Sequence, residues 1–322
     1  MQLLLGTYTK KDSEGIYSLE LDVSSNECKG LISHLKIDNP TYIALDGSRI
    51  FSVCSKDEKA GLAYFNNGVL VKRFLNETST PCYVSYDSFY QMIFTANYHQ
   101  GQINTYHLVN DDLESLQKIV YPQGSKAHFV QRIINFNAVF VCDLGLDKVY
   151  VYGIDDRKQL ELKQTIDFEP GCGPRHLVSH PTMPMIYVLG ENTNEVFIIK
   201  FIRSFEVINK ISANPDQITQ NQHAAAIRIS KDGKFLYTSN RADHTISVFK
   251  ILDDGQLMLI QTISTYGTHP RDFNLSPDQN YLLAANLLSD SLTLFRRDRY
   301  TGKLSLIQKG ISVYEPTCVV FR

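Results

Sequence analysis

Short apolar segments separated by polar turns recur along the whole chain. In each copy an apolar strand leads into a polar turn of several residues and then into a second apolar strand. Within the strands apolar side chains recur with a period of two, as at Val149 and Val151 or at Ile246 and Val248. This period predicts β-strands rather than helices. The seven copies are residues 3–21, 50–65, 92–108, 139–154, 186–201, 235–251 and 281–297.

The copies are evenly spaced along the chain. In the last five, the first strand ends at Asn97, Asp143, Gly190, Asn240 and Asn286, at intervals of 46, 47, 50 and 46 residues. Short strands repeated at this interval are typical of a propeller blade of four antiparallel strands. The alternative is an unrelated β-sandwich with coincidental spacing.

A second repeated segment precedes each of these copies. Turn sequences such as residues 231–234 connect it to the next strand, and turns such as residues 253–256 lead from the third strand into a fourth. Each unit therefore contains an inner, a second, a third and an outer strand. The seven inner segments begin at Pro40, Pro81, Ala127, Pro174, Ala224, Pro270 and Pro316.

The two ends of the chain complete one unit between them. The seventh inner segment, Pro316–Phe321, closes the sequence, and the second strand that should follow it stands at the start, in residues 3–8. We therefore predict an all-β fold, a seven-bladed β-propeller whose last blade is closed by the N-terminal strand and the C-terminal strand. Residues 1–322 are expected to form one domain, and the closure leaves no free sheet edge.

Composition and charge exclude several classes of function. The 32 basic and 34 acidic residues are interspersed and give a net charge of −2, which does not predict a nucleic-acid-binding protein. No apolar stretch has membrane-spanning length, and the first residues lack a signal-peptide pattern, so we expect no membrane partner and a cytoplasmic location. A propeller needs no partner to bury its core, and we expect a monomer.

The cysteines point to the same compartment. Six of them are scattered along the chain with no CxxC pair, which indicates free thiols in a reducing cytosol. No spacing of His, Asp and Glu requires a metal site. We therefore expect neither a metal nor another cofactor.

Polar residues on the inner strands are candidates for a functional site, because these strands line the central channel. In the third unit the alignment leaves open whether His128 or Phe129 faces the channel. The polar set has a cationic bias and clusters in the third to sixth units, which favours a site at one mouth. The alternative is a water-filled channel whose charges merely pair with one another. The candidates are His128, Arg175, His176, Arg271 and Asp272.

Residues at the ends of the second strands are expected to point toward the same mouth. A Glu191 carboxylate beside Arg175 and Arg241 would stay ionised and could act as a general base. A surface turn residue is the alternative interpretation of Glu191, and a turn role is favoured for Asn240 and Asn286. The full set is Asn97, Asp143, Glu191, Asn240, Arg241 and Asn286.

Several long segments resemble the lactonase family of seven-bladed propellers. That family includes cytosolic propeller-type 6-phosphogluconolactonases and fungal carboxy-cis,cis-muconate cyclases, and the resemblance covers the whole chain. The segments are GTYT (6–9), CDLGLDKVYVY (142–152), GPRHLVSHP (173–181), AAAIRISKDGKFLYTSNR (224–241), THPRDFNLSPD (268–278) and RDRYTGKLSLIQ (297–308).

The resemblance implies a lactone-processing site built from a histidine, two arginines and a glutamate. The matching positions in this chain are His128, Arg175, Glu191 and Arg241, which are the predicted catalytic residues. Three further residues are predicted to bind the substrate: Lys126, His176 and Arg271.

The leading functional hypothesis is hydrolysis of a sugar lactone, with 6-phosphogluconolactone as the expected substrate. Either His128 or Glu191 would be the general base, and Arg175 would stabilise the oxyanion. The phosphate would be held by Arg241, by Arg271 or by Lys126.

Two other functions remain open from the sequence. One is a lactone-forming isomerase acting on a muconate-type acid, in which the same arginines would bind carboxylates. The other is a non-enzymatic binding or scaffold propeller, because a fold does not imply a function.

Overall fold

The computed structural model of the chain describes residues 1–214 and 223–322. Apart from two single turns of 3-10 helix, Ile134–Phe136 and Leu287–Ser289, the regular structure in these residues is all strand. Within the same ranges, no helix has the length and apolar character needed to span a bilayer.

The described residues contain 28 strands. The first fourteen are β1 Gln2–Thr7, β2 Gly15–Asp22, β3 Glu27–Lys36, β4 Ile43–Asp46, β5 Arg49–Lys56, β6 Lys59–Asn66, β7 Val69–Glu77, β8 Tyr83–Asp87, β9 Met92–Asn97, β10 Gln102–Val109, β11 Asp112–Val120, β12 Ala127–Ile133, β13 Ala138–Asp143 and β14 Lys148–Ile154. The others are β15 Leu160–Asp167, β16 Pro174–Ser179, β17 Met185–Gly190, β18 Glu195–Phe201, β19 Phe205–Ser212, β20 Ala224–Ile229, β21 Phe235–Asn240, β22 Thr245–Ile251, β23 Leu257–Ser264, β24 Pro270–Leu275, β25 Tyr281–Asn286, β26 Ser291–Arg297, β27 Leu304–Ser312 and β28 Pro316–Phe321.

The strands form seven antiparallel sheets of four, and each sheet is one blade of a β-propeller. Blades 1 to 6 follow the chain as β4–β7, β8–β11, β12–β15, β16–β19, β20–β23 and β24–β27. Blade 7 has the order β28, β1, β2, β3. The predicted fold and the predicted strand order within a blade, from inner to outer, are both confirmed.

The closure of blade 7 joins the two ends of the chain. Leu4 pairs with Val320 and Leu5 with Val319 in the antiparallel ladder between β1 and β28. Gly6 follows, and a Cβ atom added there would lie 2.5 Å from the carbonyl oxygen of Pro40. The closing strand therefore runs so close to the chain entering blade 1 that only glycine fits without displacement.

Neighbouring blades pack face to face through fully buried aromatic side chains. Burying such a side chain stabilises a fold by about 1.5–3 kcal/mol. Tyr187 of blade 4 and Tyr237 of blade 5 are fully buried, and each also donates its hydroxyl to a carbonyl in the next blade. The acceptors are Gly255 at 3.0 Å and Gly302 at 2.8 Å. These bonds satisfy a polar atom that burial would otherwise leave unpaired.

Candidate functional site

In four of the inner strands, a β-bulge near the start of the strand aims one side chain at the channel mouth. The pairing of β12 with β13 passes over His128, and that of β16 with β17 passes over Arg175. In blade 6 it passes over Arg271, and in blade 7 over Thr317. A bulge leaves one residue unpaired and turns its side chain away from the ladder. Four residues that are far apart in sequence therefore face the same mouth.

The bulge decides which residue of the third inner strand belongs to the mouth. His128 is the bulged residue of β12 and lines the cavity there. Phe129 takes the next position, which is equivalent to His176 in blade 4. Of the two possibilities left open by the sequence, the structure selects His128.

A cavity of about 440 Å³ occupies this mouth, within the range of about 300–1,000 Å³ typical of small-molecule sites. Six of the seven predicted site residues line it: His128, Arg175, His176, Glu191, Arg241 and Arg271. The other lining residues are Tyr8, Lys10, Asn39, Thr41, Tyr42, Ser79, Thr80, Pro81, Cys82, Tyr98, His99 and Thr317.

The residue directly after the second strand of a blade forms much of the remaining wall. Tyr8 follows β1, Tyr98 follows β9, Glu191 follows β17 and Arg241 follows β21. All four line the cavity. The mouth is therefore built from two repeated positions in the blade, the bulged residue of the inner strand and the residue after the second strand.

The polar residues that end the second strands serve the turns rather than the cavity. The side-chain oxygens of Asn97, Asp143 and Asn240 each accept the backbone N–H two residues further on, at 3.1, 3.0 and 3.0 Å. The turn role predicted for Asn240 is confirmed. Asn286 differs, because its side chain makes no capping bond and donates instead to the Thr293 hydroxyl at 3.0 Å.

Glu191 lies between two arginines. Its Oε2 is 2.8 Å from Nε of Arg175, and its Oε1 is 2.8 Å from Nη2 of Arg241. Arg175 also donates from Nη1 to the carbonyl of Ala225. Arg241 donates to the carbonyls of His223 and Ala224, at 3.1 and 3.2 Å. Backbone acceptors thus orient both guanidinium groups around one carboxylate.

The arginines keep the Glu191 carboxylate ionised. Burial alone would raise the pKa of Glu191, but the neighbouring Arg175 and Arg241 outweigh it and hold that pKa below its usual value. Burial, together with Arg241 and Arg271, lowers the pKa of Arg175 to about 10, so Arg175 is still charged at neutral pH. Because both carboxylate oxygens are engaged, Glu191 is a weak proton acceptor.

Arg271 is the arginine of the mouth that keeps its charge available. It is half-buried and lines the cavity. Within residues 1–214 and 223–322, the carboxylate of Glu191 is paired with Arg175 and Arg241, and no carboxylate forms an ion pair with Arg271. A half-buried cation without a counter-charge is suited to binding an anionic ligand.

Two neutral imidazoles stand beside this cluster. The ring centroids of His128 and His176 are 5.1 Å apart. Burial, followed by the field of Arg175 and other cations, lowers the pKa of both histidines well below the ordinary value. Nδ1 of His128 is buried and has no hydrogen-bond partner among the described residues.

Arg175 fixes the tautomer of His176. Its Nη1 is 3.3 Å from Nε2 of His176. A guanidinium group can only donate, so Nε2 accepts and the proton of the neutral ring is on Nδ1. That Nδ1–H is buried and meets no acceptor in the part of the chain that the structure describes. The His176 ring is therefore held by Arg175 on one side and keeps a buried, unpaired N–H on the other.

Aromatic rings lie one residue further along the inner strands. Tyr42 and Tyr83 have ring centroids 4.3 Å apart, and Tyr83 lies 5.2 Å from the ring of His176. Phe129 lies 4.7 Å from Tyr83. These rings pack against one another, and Tyr42 also lines the cavity.

Asp272 does not line the cavity, contrary to the expectation from the sequence. Its Oδ1 accepts from Nη2 of Arg228 at 2.7 Å, and its Oδ2 accepts the backbone N–H of Val319 at 3.0 Å. Asp272 shares the position of His176, one residue past the bulge, but its buried carboxylate is engaged by Arg228 and by the Val319 backbone instead of facing the cavity. No pattern in the sequence indicated this ion pair.

Lys126 also lies outside the cavity lining. Its side chain is exposed, and its Nζ is 5.3 Å from the ring centroid of Tyr98, which does line the cavity. A direct role of Lys126 in phosphate binding stays a prediction.

Of the lining residues that were not anticipated, four have ring or ammonium side chains. Tyr8 and Tyr98 share the position of Glu191 and Arg241 after the second strand, and applying that register to every repeat would have found them. Lys10 and His99 lie in the turns that follow β1 and β9, where the repeat carries no signal. They are Tyr8, Lys10, Tyr98 and His99.

Comparison with known proteins supports the architecture. Residues 2–321 match the model of a family described as lactonase, 7-bladed β-propeller. A 6-phosphogluconolactonase from Bacillus subtilis is 35% identical over 343 aligned residues, covering 98% of this chain and 97% of the relative.

Two solved structures are similar over nearly their full length. A protein from Lactobacillus plantarum has a TM-score of 0.95 and 36% identity, covering 99% of this chain and 98% of that chain. The periplasmic gluconolactonase of Pseudomonas aeruginosa has a TM-score of 0.89 and 25% identity, covering 99% and 98%. The family match and these similarities extend from the first strand to the last, and the chain belongs to the lactonase family of seven-bladed β-propellers.

Proposed function

We propose that this protein hydrolyses a sugar lactone, with 6-phosphogluconolactone as its substrate. The observation that carries the proposal is the arrangement at one mouth. Glu191 is held between Arg175 and Arg241 at 2.8 Å from each, beside the neutral His128 and the uncompensated Arg271. The names of the Bacillus and Pseudomonas relatives support a lactone as the substrate class.

In this mechanism His128 is the general base. The lowered pKa of His128 keeps its imidazole neutral at pH 7 and able to accept a proton from water. Glu191, the other candidate, has both carboxylate oxygens in ion pairs. A positioned base of this kind contributes roughly 10²–10⁴-fold to a rate. The role of Glu191 is to position the two arginines.

Arg175 stabilises the charge that develops on the lactone carbonyl oxygen. Its contacts with Glu191, Ala225 and His176 use Nε and Nη1, which leaves Nη2 for the substrate. Donors aimed at a developing oxyanion in a buried site are worth on the order of 10²–10³-fold each.

The chemical steps then balance without a co-reactant. Water forms a C–O bond to the lactone carbonyl carbon as His128 takes its proton, and the carbonyl electrons move to the oxygen held by Arg175. The tetrahedral intermediate collapses, and the bond between that carbon and the ring oxygen breaks. His128 returns the proton to the departing ring oxygen, which becomes a hydroxyl. The carboxylic acid product loses a proton to solvent at neutral pH.

The cellular location and the oligomeric state are part of the same proposal. All six cysteines are free thiols, which is compatible with the reducing cytoplasm. We propose a cytoplasmic monomer, which cell fractionation and light scattering of the purified protein would test.

The proposed function is tested by the hydrolysis rate of freshly made 6-phosphogluconolactone. The purified protein is compared with the spontaneous reaction at the same pH, and gluconolactone without phosphate is measured in parallel. Acceleration of the phosphorylated lactone, and weaker acceleration of gluconolactone, is the expected result. Absence of acceleration with both lactones would overturn the proposal.

A further inference from the structure

The turn that follows β1 carries a cation into the mouth. Lys10 lies in this turn and lines the cavity together with Tyr8. The Nζ atom of Lys10 is 4.6 Å from the ring centroid of Tyr8, which is a distance for a cation–π contact. The position of the ammonium group is thus guided by an aromatic ring of the cavity wall.

A buried carboxylate fixes the backbone of this turn. Oε2 of Glu315 accepts the backbone N–H groups of Lys10 and Lys11, both at 2.8 Å. Glu315 is 6% exposed, and its own N–H donates to Oδ1 of Asp290 at 2.8 Å. Because Glu315 holds the main chain, the two lysine side chains leave the turn in defined directions.

The two neighbouring lysines differ in what neutralises them. Nζ of Lys11 forms an ion pair with Asp290 at 2.8 Å. For Lys10, no carboxylate lies within ion-pair distance in the described ranges, and its side chain is directed to the cavity. The turn thus places the unpaired ammonium of Lys10 at the mouth, whereas the ammonium of Lys11 is paired with Asp290.

Lys10 and Arg271 come from neighbouring blades. Arg271 is on β24 of blade 6, and Lys10 follows β1 of blade 7, which packs directly beside it. His128 and Arg175, which act on the lactone carbonyl in the proposed mechanism, belong to blades 3 and 4. The two uncompensated cations therefore stand on a different side of the mouth from the acyl chemistry.

We propose that Lys10 and Arg271 together form a phosphate-binding site that makes the enzyme selective for phosphorylated lactones. This inference rests on the proposed function. A phosphate monoester carries a charge of about −1.5 to −2 at pH 7, which two cations match. Arg271 contributes bidentate geometry and Lys10 a point charge. The bound substrate then extends across the mouth, from its phosphate at blades 6 and 7 to its lactone carbonyl at Arg175 and His128.

The test compares Lys10→Ala with its matched control, Lys11→Ala. For each protein, kcat/KM is measured with 6-phosphogluconolactone and with gluconolactone, and the ratio of the two values is reported. We expect this ratio to fall roughly tenfold in Lys10→Ala, mainly through KM, and to keep its wild-type value in Lys11→Ala. Lys10→Arg should recover most of the selectivity. A wild-type ratio in Lys10→Ala would overturn the inference.

A binding measurement separates this inference from the proposed function. Calorimetric titration with 6-phosphogluconate and with gluconate reports on the phosphate site even in a protein that hydrolyses neither lactone. The site predicts tighter binding of 6-phosphogluconate, weakened roughly tenfold by Lys10→Ala and not by Lys11→Ala. Equal affinity of the wild-type protein for the two ligands would overturn the phosphate site, whereas selective binding without hydrolysis would overturn the proposed function alone.

Discussion

At the scale of single residues, the environment divides the roles of the ionisable groups. Glu191 would be the natural base on chemical grounds, but ion pairs with Arg175 and Arg241 occupy both of its oxygens. Burial and the same cations keep His128 and His176 neutral. One set of arginines therefore makes the carboxylate a poor base and leaves a neutral imidazole to take the proton.

The pH dependence of hydrolysis follows from the lowered pKa of His128. The base works when neutral, and it is protonated only well below the ordinary histidine value of 6.5. We expect kcat/KM for gluconolactone, corrected for the spontaneous rate, to stay level from about pH 8 to below pH 6.5 and to fall only at more acidic pH. Gluconolactone avoids the titration of the substrate phosphate.

The level region of that profile is the critical observation. A rate that falls with a midpoint near pH 6.5 would mean that the base has an unperturbed histidine pKa, against the assignment to His128. The matching variant is His128→Gln, which should lose most activity at every pH in the range, while circular dichroism shows that the fold is retained.

At the scale of strands and turns, repetition determined what could be predicted. The inner strands, the hairpins and the closure by Pro316–Phe321 all followed from periodicity. The bulge could not be predicted from periodicity, because it changes the register by one residue. The choice between His128 and Phe129 depended on this bulge. The ion-pair partner of Asp272 could not be predicted either, because the contact with Arg228 depends on side-chain directions across two blades.

The residues after the second strands show what the repeat could predict and what it could not. Glu191 and Arg241 were selected as candidates because they are charged. Tyr8 and Tyr98 occupy the same position but have side chains that are common in any β-protein. Lys10 had no repeat signal, because the turn after β1 has its own length and is held by Glu315 from the other end of the chain.

The closure of blade 7 predicts a large effect of a small substitution. In Gly6→Ala the new methyl group would meet the Pro40 carbonyl oxygen at 2.5 Å, so the strand β1 or the chain at Pro40 must move. We expect the free energy of unfolding to fall by about 1–3 kcal/mol. Urea unfolding followed by circular dichroism measures it. An unchanged midpoint would show that the closure tolerates displacement.

At the scale of the whole molecule, the charge of the mouth is positive, whereas the net charge of the chain is negative. The protein has a net charge of −2. Among the described residues that line the cavity, one carboxylate, Glu191, faces four cations, Lys10, Arg175, Arg241 and Arg271. A concentrated positive potential in a concave site attracts anions and raises their rate of association.

Salt should therefore affect the two lactones differently. Between about 20 mM and 500 mM NaCl the Debye length falls severalfold, and long-range attraction is screened. We expect kcat/KM for 6-phosphogluconolactone to decrease several-fold over this range, while the value for uncharged gluconolactone stays level. Initial rates at low substrate concentration give both values. Equal salt dependence of the two substrates would contradict the electrostatic role of the mouth.

The central claim is that the arginine–glutamate cluster of the mouth carries out the hydrolysis, and Arg175→Ala tests it most directly. Its control is Arg132→Ala, because the Arg132 side chain is only 8% exposed and is also paired, 2.8 Å from Asp87. Each variant leaves a buried carboxylate without its full set of partners and is expected to lose stability. Only Arg132 lies outside the cavity lining.

The measurement is kcat/KM for 6-phosphogluconolactone per folded molecule, at a temperature where circular dichroism shows both variants to be native. The predicted result is a loss of at least about 10²-fold in Arg175→Ala, with a value near wild type in Arg132→Ala. Wild-type hydrolysis by folded Arg175→Ala would contradict the account and place the chemistry elsewhere in the molecule.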